Sequence, residues 1–200
     1  MQRLLPITPN TRRGLIGDAK AISTGGGTQM ILREPGRTRW EIEQALPELK
    51  RLLPGLILHV SNVNAWRFAE IHQTGLHLPS HADPQLWRSR FKGLLGMSCH
   101  QEAEVLAAQQ NNLDYVLLSP VFSPISKADD RKPLGPTEAA RIQSLVSIPV
   151  FALGGIQARN AKQCSGCFGG ASMGYLFGNR TNRRQLHKRT ASLLNIFDNP

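Results

Sequence analysis

The chain has 200 residues, 40% of them hydrophobic, and a formal net charge of +10. That length can bury a sizeable core and most simply forms one domain, residues 1–200. No apolar run reaches the roughly 18 residues of a membrane span, and the start (Met1 to Pro9) has too short an apolar run for a secretory signal, so a cytoplasmic protein without a membrane partner is expected.

Eight strand-like runs can be traced, most of them followed by a helix-like segment. Leu4 to Thr8 is the first strand, and Leu15 to Ile22 a short helix. After a Gly25-Gly26-Gly27 turn come strand Thr28 to Arg33 and helix Arg39 to Leu53, in which Pro47 is expected to kink or split the helix. Pro54-Gly55 turns the chain into strand Leu56 to Val60, helix Ala65 to His72 and the short strand Gly75 to Leu78. Asp83-Pro84 reads as an N-cap and first-turn proline opening a helix to Phe91. Gly93 to Met97 is the fifth strand, Gln101 to Gln110 the fifth helix, and Tyr115 to Val121 the sixth strand. A long polar loop leads to Pro136, which suits a first helical turn, and to helix Thr137 to Val146. Val150 to Leu153 is strand seven, Ala158 to about Cys164 the seventh helix, Ala171 to Phe177 a Gly-interrupted eighth strand, and Arg183 to Phe197 the last helix.

The short, unalternating apolar runs suit strands buried on both faces, as in a parallel sheet. Eight alternations without a composition break predict a single (β/α)8 TIM barrel, with a doubly wound open sheet as the alternative. In the last helix Arg183, Arg184, His187, Lys188 and Arg189, with Arg180 just before, interleave with Leu186, Leu193, Leu194 and Phe197. That is an amphipathic helix with a solvated basic face; the rest of the charge is scattered, so no nucleic-acid partner is expected. Cys164 and Cys167 have C-x-x-C spacing, but Cys99 is far away and no matching pair follows, so they read as ordinary small residues.

A barrel carries its ligands at the carboxyl ends of its strands. Gly154-Gly155 follows strand seven and opens a helix, where backbone N–H groups and the helix dipole suit a phosphate. Phe177, ending strand eight, with Gly178 and Asn179 behind it, would supply the second half. His100 lies just past strand five, with Ser98 two residues earlier pointing the same way, and an imidazole can take and return a proton near neutral pH. His77, inside a strand, reads as a structural histidine. Arg33 either grips a substrate anion or pairs with Glu34 or another acid. Asn62 either donates to substrate or caps the third helix, and Lys127 sits in the long loop after strand six, which would act as a lid.

These motifs together resemble the thiamine phosphate synthase and TenI superfamily across essentially the whole chain. The resemblance rests on Leu5-Pro6-Ile7-Thr8-Pro9, Arg33-Glu34, Gly75-Leu-His-Leu, Ser98-Cys99-His100, Asp114 to Phe122 with Ser126-Lys127 behind it, and Ile148 to Ile156. It implies a thiazole phosphate ligand held by Arg33, Asn62, Ser126, Lys127, Gly154, Gly155, Phe177 and Gly178, with His100 and Ser98 catalytic. The family's synthases also hold a pyrimidine diphosphate with Gln-x-Arg-x-Lys on strand two, and Mg²⁺ with an Asn-Asp after strand three and an Asp after strand four. This chain has Ile31-Leu32-Arg33-Glu34-Pro35 in the first place, Asn62-Val63 in the second and Ser80-His81-Ala82 in the third. Valine cannot ligate a metal. The resemblance therefore implies a TenI-like thiazole tautomerase with no cofactor; a true synthase using Mg²⁺, or a non-catalytic phosphate-ligand binder, are the rivals. A homodimer is compatible with the sequence, which does not give the oligomeric state.

Overall fold

A computed structural model describes residues 1–10, 14–60, 64–123, 131–178 and 181–199. Eight strands, β1 (Leu4–Pro6), β2 (Gln29–Leu32), β3 (Gly55–His59), β4 (Gly75–Leu78), β5 (Leu95–Cys99), β6 (Tyr115–Leu118), β7 (Val150–Ala152) and β8 (Gly169–Ser172), are all parallel. They neighbour one another in the order β1-β8-β7-β6-β5-β4-β3-β2. A parallel bridge between Ile7 and Ile31 joins the two ends of that order, so the sheet closes as a (β/α)8 barrel.

The helices between the strands are α1 (Leu15–Thr24), α2 (Arg39–Leu52), α3 (Ala65–His72), α4 (Pro84–Arg90), α5 (Glu102–Gln110) and α6 (Pro136–Ser144). A single 3₁₀ turn (Ala161–Cys164) stands between β7 and β8, and α7 (Gly174–Phe177) and α8 (Arg183–Asp198) follow β8. None of the described helices is long and apolar enough to cross a membrane.

Local chemistry sets several of these boundaries. Thr38 and Glu41 form a reciprocal capping box on α2, and Asn182 with Gln185 does the same on α8. The Asp83 carboxylate caps α4 by accepting from the amides of Gln85 and Leu86, with Pro84 in the first turn. Pro47 does not split α2, which runs unbroken past it. Pro47 is exposed, so the Glu43 carbonyl that it leaves without an amide partner can turn to water.

Strand alternation sorts the apolar residues into two cores. Leu5, Ile31, Ile57, Leu117 and Phe151 fill the barrel interior, while Leu4, Met30, Leu56, Val116 and Val150 face the helices. The sequence misplaces the end of this pattern. Strand eight is Gly169–Ser172, earlier than the expected Ala171 to Phe177, because its small residues let neighbours approach closely. A Cβ at Gly169 would meet the Arg3 carbonyl at 2.0 Å, and one at Gly170 the Phe197 ring at 2.2 Å. The expected seventh helix shrinks to the 3₁₀ turn, and β5 lies two residues later than Gly93 to Met97.

The basic last helix has the predicted amphipathic form, burying Leu186, Leu193, Leu194 and Phe197. Arg189 is more than a solvated charge: it donates to the Tyr175 carbonyl at 2.5 Å and to the Thr181 hydroxyl at 2.7 Å, and stacks over the Tyr175 ring. It thereby ties α8 to α7.

Closure depends on side chains as well as on the bridge. Buried Thr8 accepts the Arg33 amide at 2.8 Å, beside the Thr8 N to Ile31 O and Asn10 N to Arg33 O bonds. At the other end Gln29 donates to the carbonyls of Gln2 and Leu4. Thr8→Val keeps the shape but leaves the Arg33 amide without its acceptor. A loss of about 1–3 kcal/mol is expected, measured by urea unfolding.

Candidate active site

Alternation along the strands places one polar side chain after another toward the barrel axis. On β5, Leu95, Met97 and Cys99 belong to the outer core, so Gly96 and Ser98 face inward. The register pairs His77 of β4 with Gly96, Gly96 with Tyr115 of β6, and His59 of β3 with His77. His77 is 1% exposed and bonds on both sides: Nδ1 lies 3.0 Å from the Tyr115 hydroxyl and Nε2 2.9 Å from Ser98 Oγ. Gly96 makes this reach possible. A Cβ there would lie 2.1 Å from the Tyr115 ring, so the ring crosses the strand where a side chain would otherwise stand.

The His77 ring is 5.9 Å from the His59 ring. Burial, and then the neighbouring His59, push the His77 imidazole down to about 3. Burial, and then the charge of Arg33, also lower His59, while burial pushes the Tyr115 phenol well above its ordinary range. Arg33, His59, His77 and Ser98 thus form a line across β2 to β5.

Arg33 does not pair with Glu34. Glu34 is buried with Arg37 at 3.5 Å, and among the described residues no carboxylate pairs with the Arg33 guanidinium. Arg33, Arg39, His59 and the Arg37–Glu34 pair line a cavity of about 380 Å³ between the ends of β2 and β3, with Ile42, Leu58 and Phe68 as its apolar wall.

His100 sits beyond β5 with its ring against the end of β6. Nδ1 donates to the Ser119 carbonyl at 2.7 Å, and the His100 amide donates to Glu104 at 2.5 Å. This bond fixes the Nδ1–H tautomer of the neutral ring and leaves Nε2 as a lone-pair acceptor. His100 is half-buried and makes no hydrogen bond to Ser98.

Gly154 and Gly155 have φ of +97° and +64°, a region that favours glycine. Their missing side chains also admit the segment after β6: a Cβ on Gly155 would lie 2.5 Å from the Ser123 carbonyl. Among the described residues no acceptor faces the amides of Gly154, Gly155 or Ile156. Phe177 and Gly178 lie elsewhere than expected. With β8 ending at Ser172, they stand at the far end of α7, and Phe177 is buried in the outer core. The residues that leave β8 at the mouth are Met173 and Gly174. Asn62, Ser126, Lys127 and Asn179 lie outside the described residues.

The three cysteines are buried and free; burial raises Cys99 and Cys167 to about 12 and Cys164 to about 11, so they are held as thiols. Among the described residues no three His, Cys, Asp or Glu side chains converge to hold a metal. Asp83, the acid nearest the expected Mg²⁺ position after β4, has its carboxylate engaged as the α4 cap.

His59 and Tyr115 escape a reading by motif. The signal that finds them is register: both are polar-bearing rings at inward positions, His59 on the strand beside β4 and Tyr115 one strand further on the other side, and both meet His77.

Residues 4–173 match the thiamine monophosphate synthase (TMP-TENI) family. The chain is 35% identical over 147 residues to a thiamine-phosphate synthase of Chloroflexus aurantiacus, covering 71% of this chain and 67% of the relative. It is 30% identical over 161 residues to one of Geobacillus kaustophilus, covering 76% and 72%. The fold is shared with a thiamine phosphate pyrophosphorylase from Pyrococcus furiosus, with a TM-score of 0.83, 21% identity and coverage of 98% and 96%. The chain belongs to the TMP-TENI family of thiamine biosynthesis. The matches do not single out the TenI-like subtype, and the relatives' names favour the synthase.

Two outcomes follow. Gly96→Ala should drive the Tyr115 ring off His77 and cost about 1–3 kcal/mol by overpacking, measured by thermal or urea unfolding. His77 is neutral when folded and recovers its ordinary proton affinity when unfolded. Its contribution is therefore complete above about pH 6.5 and is lost as pH falls toward about 3. Between pH 7 and pH 5 the wild type should lose about 2 kcal/mol more than His77→Gln does, as read by denaturant midpoints.

Proposed function

We propose that the protein is a cytoplasmic transferase of thiamine biosynthesis, joining a pyrimidine methyl diphosphate to a thiazole phosphate with release of pyrophosphate. The observation that carries this reading is the cavity between β2 and β3, where Arg33, with no carboxylate partner among the described residues, stands beside His59, Arg39 and the Arg37–Glu34 pair. The names of relatives at 30–35% identity support the same reaction. When the carbon–oxygen bond to the diphosphate breaks and the thiazole nitrogen takes its place, the leaving group carries away the electron pair. Guanidinium groups are suited to receive that charge.

The Mg²⁺ donors of the family's synthases do not fit this chain. Val63 and Ala82 stand in their places, and Asp83 is a helix cap. The argument for leaving-group stabilisation therefore runs through the arginines. No helix opens at Gly154-Gly155, but their backbone amides, with Ser126 and Lys127 from the loop after β6, would hold the thiazole phosphate.

A second reading, a thiazole phosphate tautomerase, has one observation in its favour. The Ser119 carbonyl fixes His100 with Nε2 free to accept a proton, as a base that moves a proton between ring atoms requires.

The two readings separate in an assay with both substrate sets, run with and without Mg²⁺. Thiamine phosphate is the expected product, and Arg33→Ala should lower its kcat/KM by roughly 100-fold. Absence of thiamine phosphate, with isomerisation of the thiazole that vanishes in His100→Ala, would establish the second reading instead.

A further inference from the structure

The bonds around His77 have a direction. A neutral imidazole offers one N–H and one lone pair, so its two contacts must be one donation and one acceptance. Two arrangements meet that condition. In one, Ser98 donates to Nε2 and the Nδ1–H donates to Tyr115, which leaves the phenol proton needing an acceptor. Tyr115 is 0% exposed, and among the described residues its hydroxyl meets no other partner than His77. In the other, Tyr115 donates to Nδ1, the Nε2–H donates to Ser98 Oγ, and the proton left over belongs to Ser98. Ser98 is half-buried at the inner face of β5, where its proton can reach an incoming ligand. Only this second arrangement strands no buried donor.

We infer that Tyr115 and His77 are positioning residues that commit the Ser98 hydroxyl to donate a hydrogen bond into the barrel mouth, so that the ligand must present an acceptor, such as a phosphate oxygen, at that point. Because Ser98 Oγ already accepts from His77, a ligand donor placed there meets a competing proton. The inference extends the phosphorylated-ligand reading above and rests on it for the nature of the ligand, but not for the direction of the bonds.

Two measurements decide it. In the full chain labelled with ¹⁵N-histidine, two-bond ¹H–¹⁵N correlation spectra, assigned by loss of the signal in His77→Gln, should show His77 as the Nε2–H tautomer. Tyr115→Phe should introduce a population of the Nδ1–H form. An Nδ1–H ring in the wild type, or a tautomer indifferent to Tyr115→Phe, overturns the inference.

The second measurement is calorimetric titration with thiamine phosphate. Ser98→Ala should bind about tenfold more weakly. Tyr115→Phe should also weaken binding, but should have no further effect in the Ser98→Ala background. Additive losses overturn the proposed coupling. A wild-type protein that binds neither thiamine phosphate nor inorganic phosphate counts against both the ligand reading and the donor role. Binding together with the Nδ1–H tautomer sinks this inference alone.

Discussion

Everything at the mouth depends on the seam between the first and second strands. A parallel sheet of eight strands has two edges until that seam forms, and open edges are where such sheets fail. Here the seam is short: one bridge between Ile7 and Ile31, extended by the Thr8 amide, the Asn10 amide and the Thr8 hydroxyl. Its hydroxyl bond lands on the amide of Arg33. The residue that brings the cation to the mouth is therefore also the residue whose backbone closes the ring. Closure and charge placement are fixed by the same few atoms.

Inside the ring, apolar packing gives way to a polar row on one side. From β2 to β6 the inward positions carry Arg33, His59, His77, Ser98 and Tyr115; on the opposite side they carry Leu5, Phe151 and Ala171. Burying imidazole and phenol groups is costly unless their bonding is complete. The fold meets that condition by giving up a side chain at Gly96, so that rings on β4 and β6 meet across the strand between them. The same small residue serves packing and polarity.

Much of this was legible in the sequence because it is local. The strand count, the barrel, the Asp83 cap with Pro84, and the amphipathic last helix all rest on neighbours within a turn or two. What was missed is non-local. An apolar run after Gly170 reads as a strand that ends at Phe177 with Gly178 behind it, but the glycines of β8 make contacts with Arg3 and Phe197, far away in sequence. His77 reads correctly as a buried core histidine, yet its partner Ser98 is a candidate site residue, and no spacing rule connects them. Arg33 with Glu34 reads equally well as an ion pair until the fold brings Arg37, three residues on, to Glu34 instead. The tautomerase expectation rests on the altered run Ile31 to Pro35 and on the missing acidic residues after strands three and four; the relatives' names favour the synthase.

Arg189 belongs to a helix that a surface survey would set aside as inert. Through the Tyr175 carbonyl and Thr181 it braces the turn that receives the chain as it leaves the final strand. α8 is therefore a buttress for the rim: a modification that loosens it would be felt at the turn after β8, 14 residues upstream of Arg189, and not only in the solubility of the surface it covers.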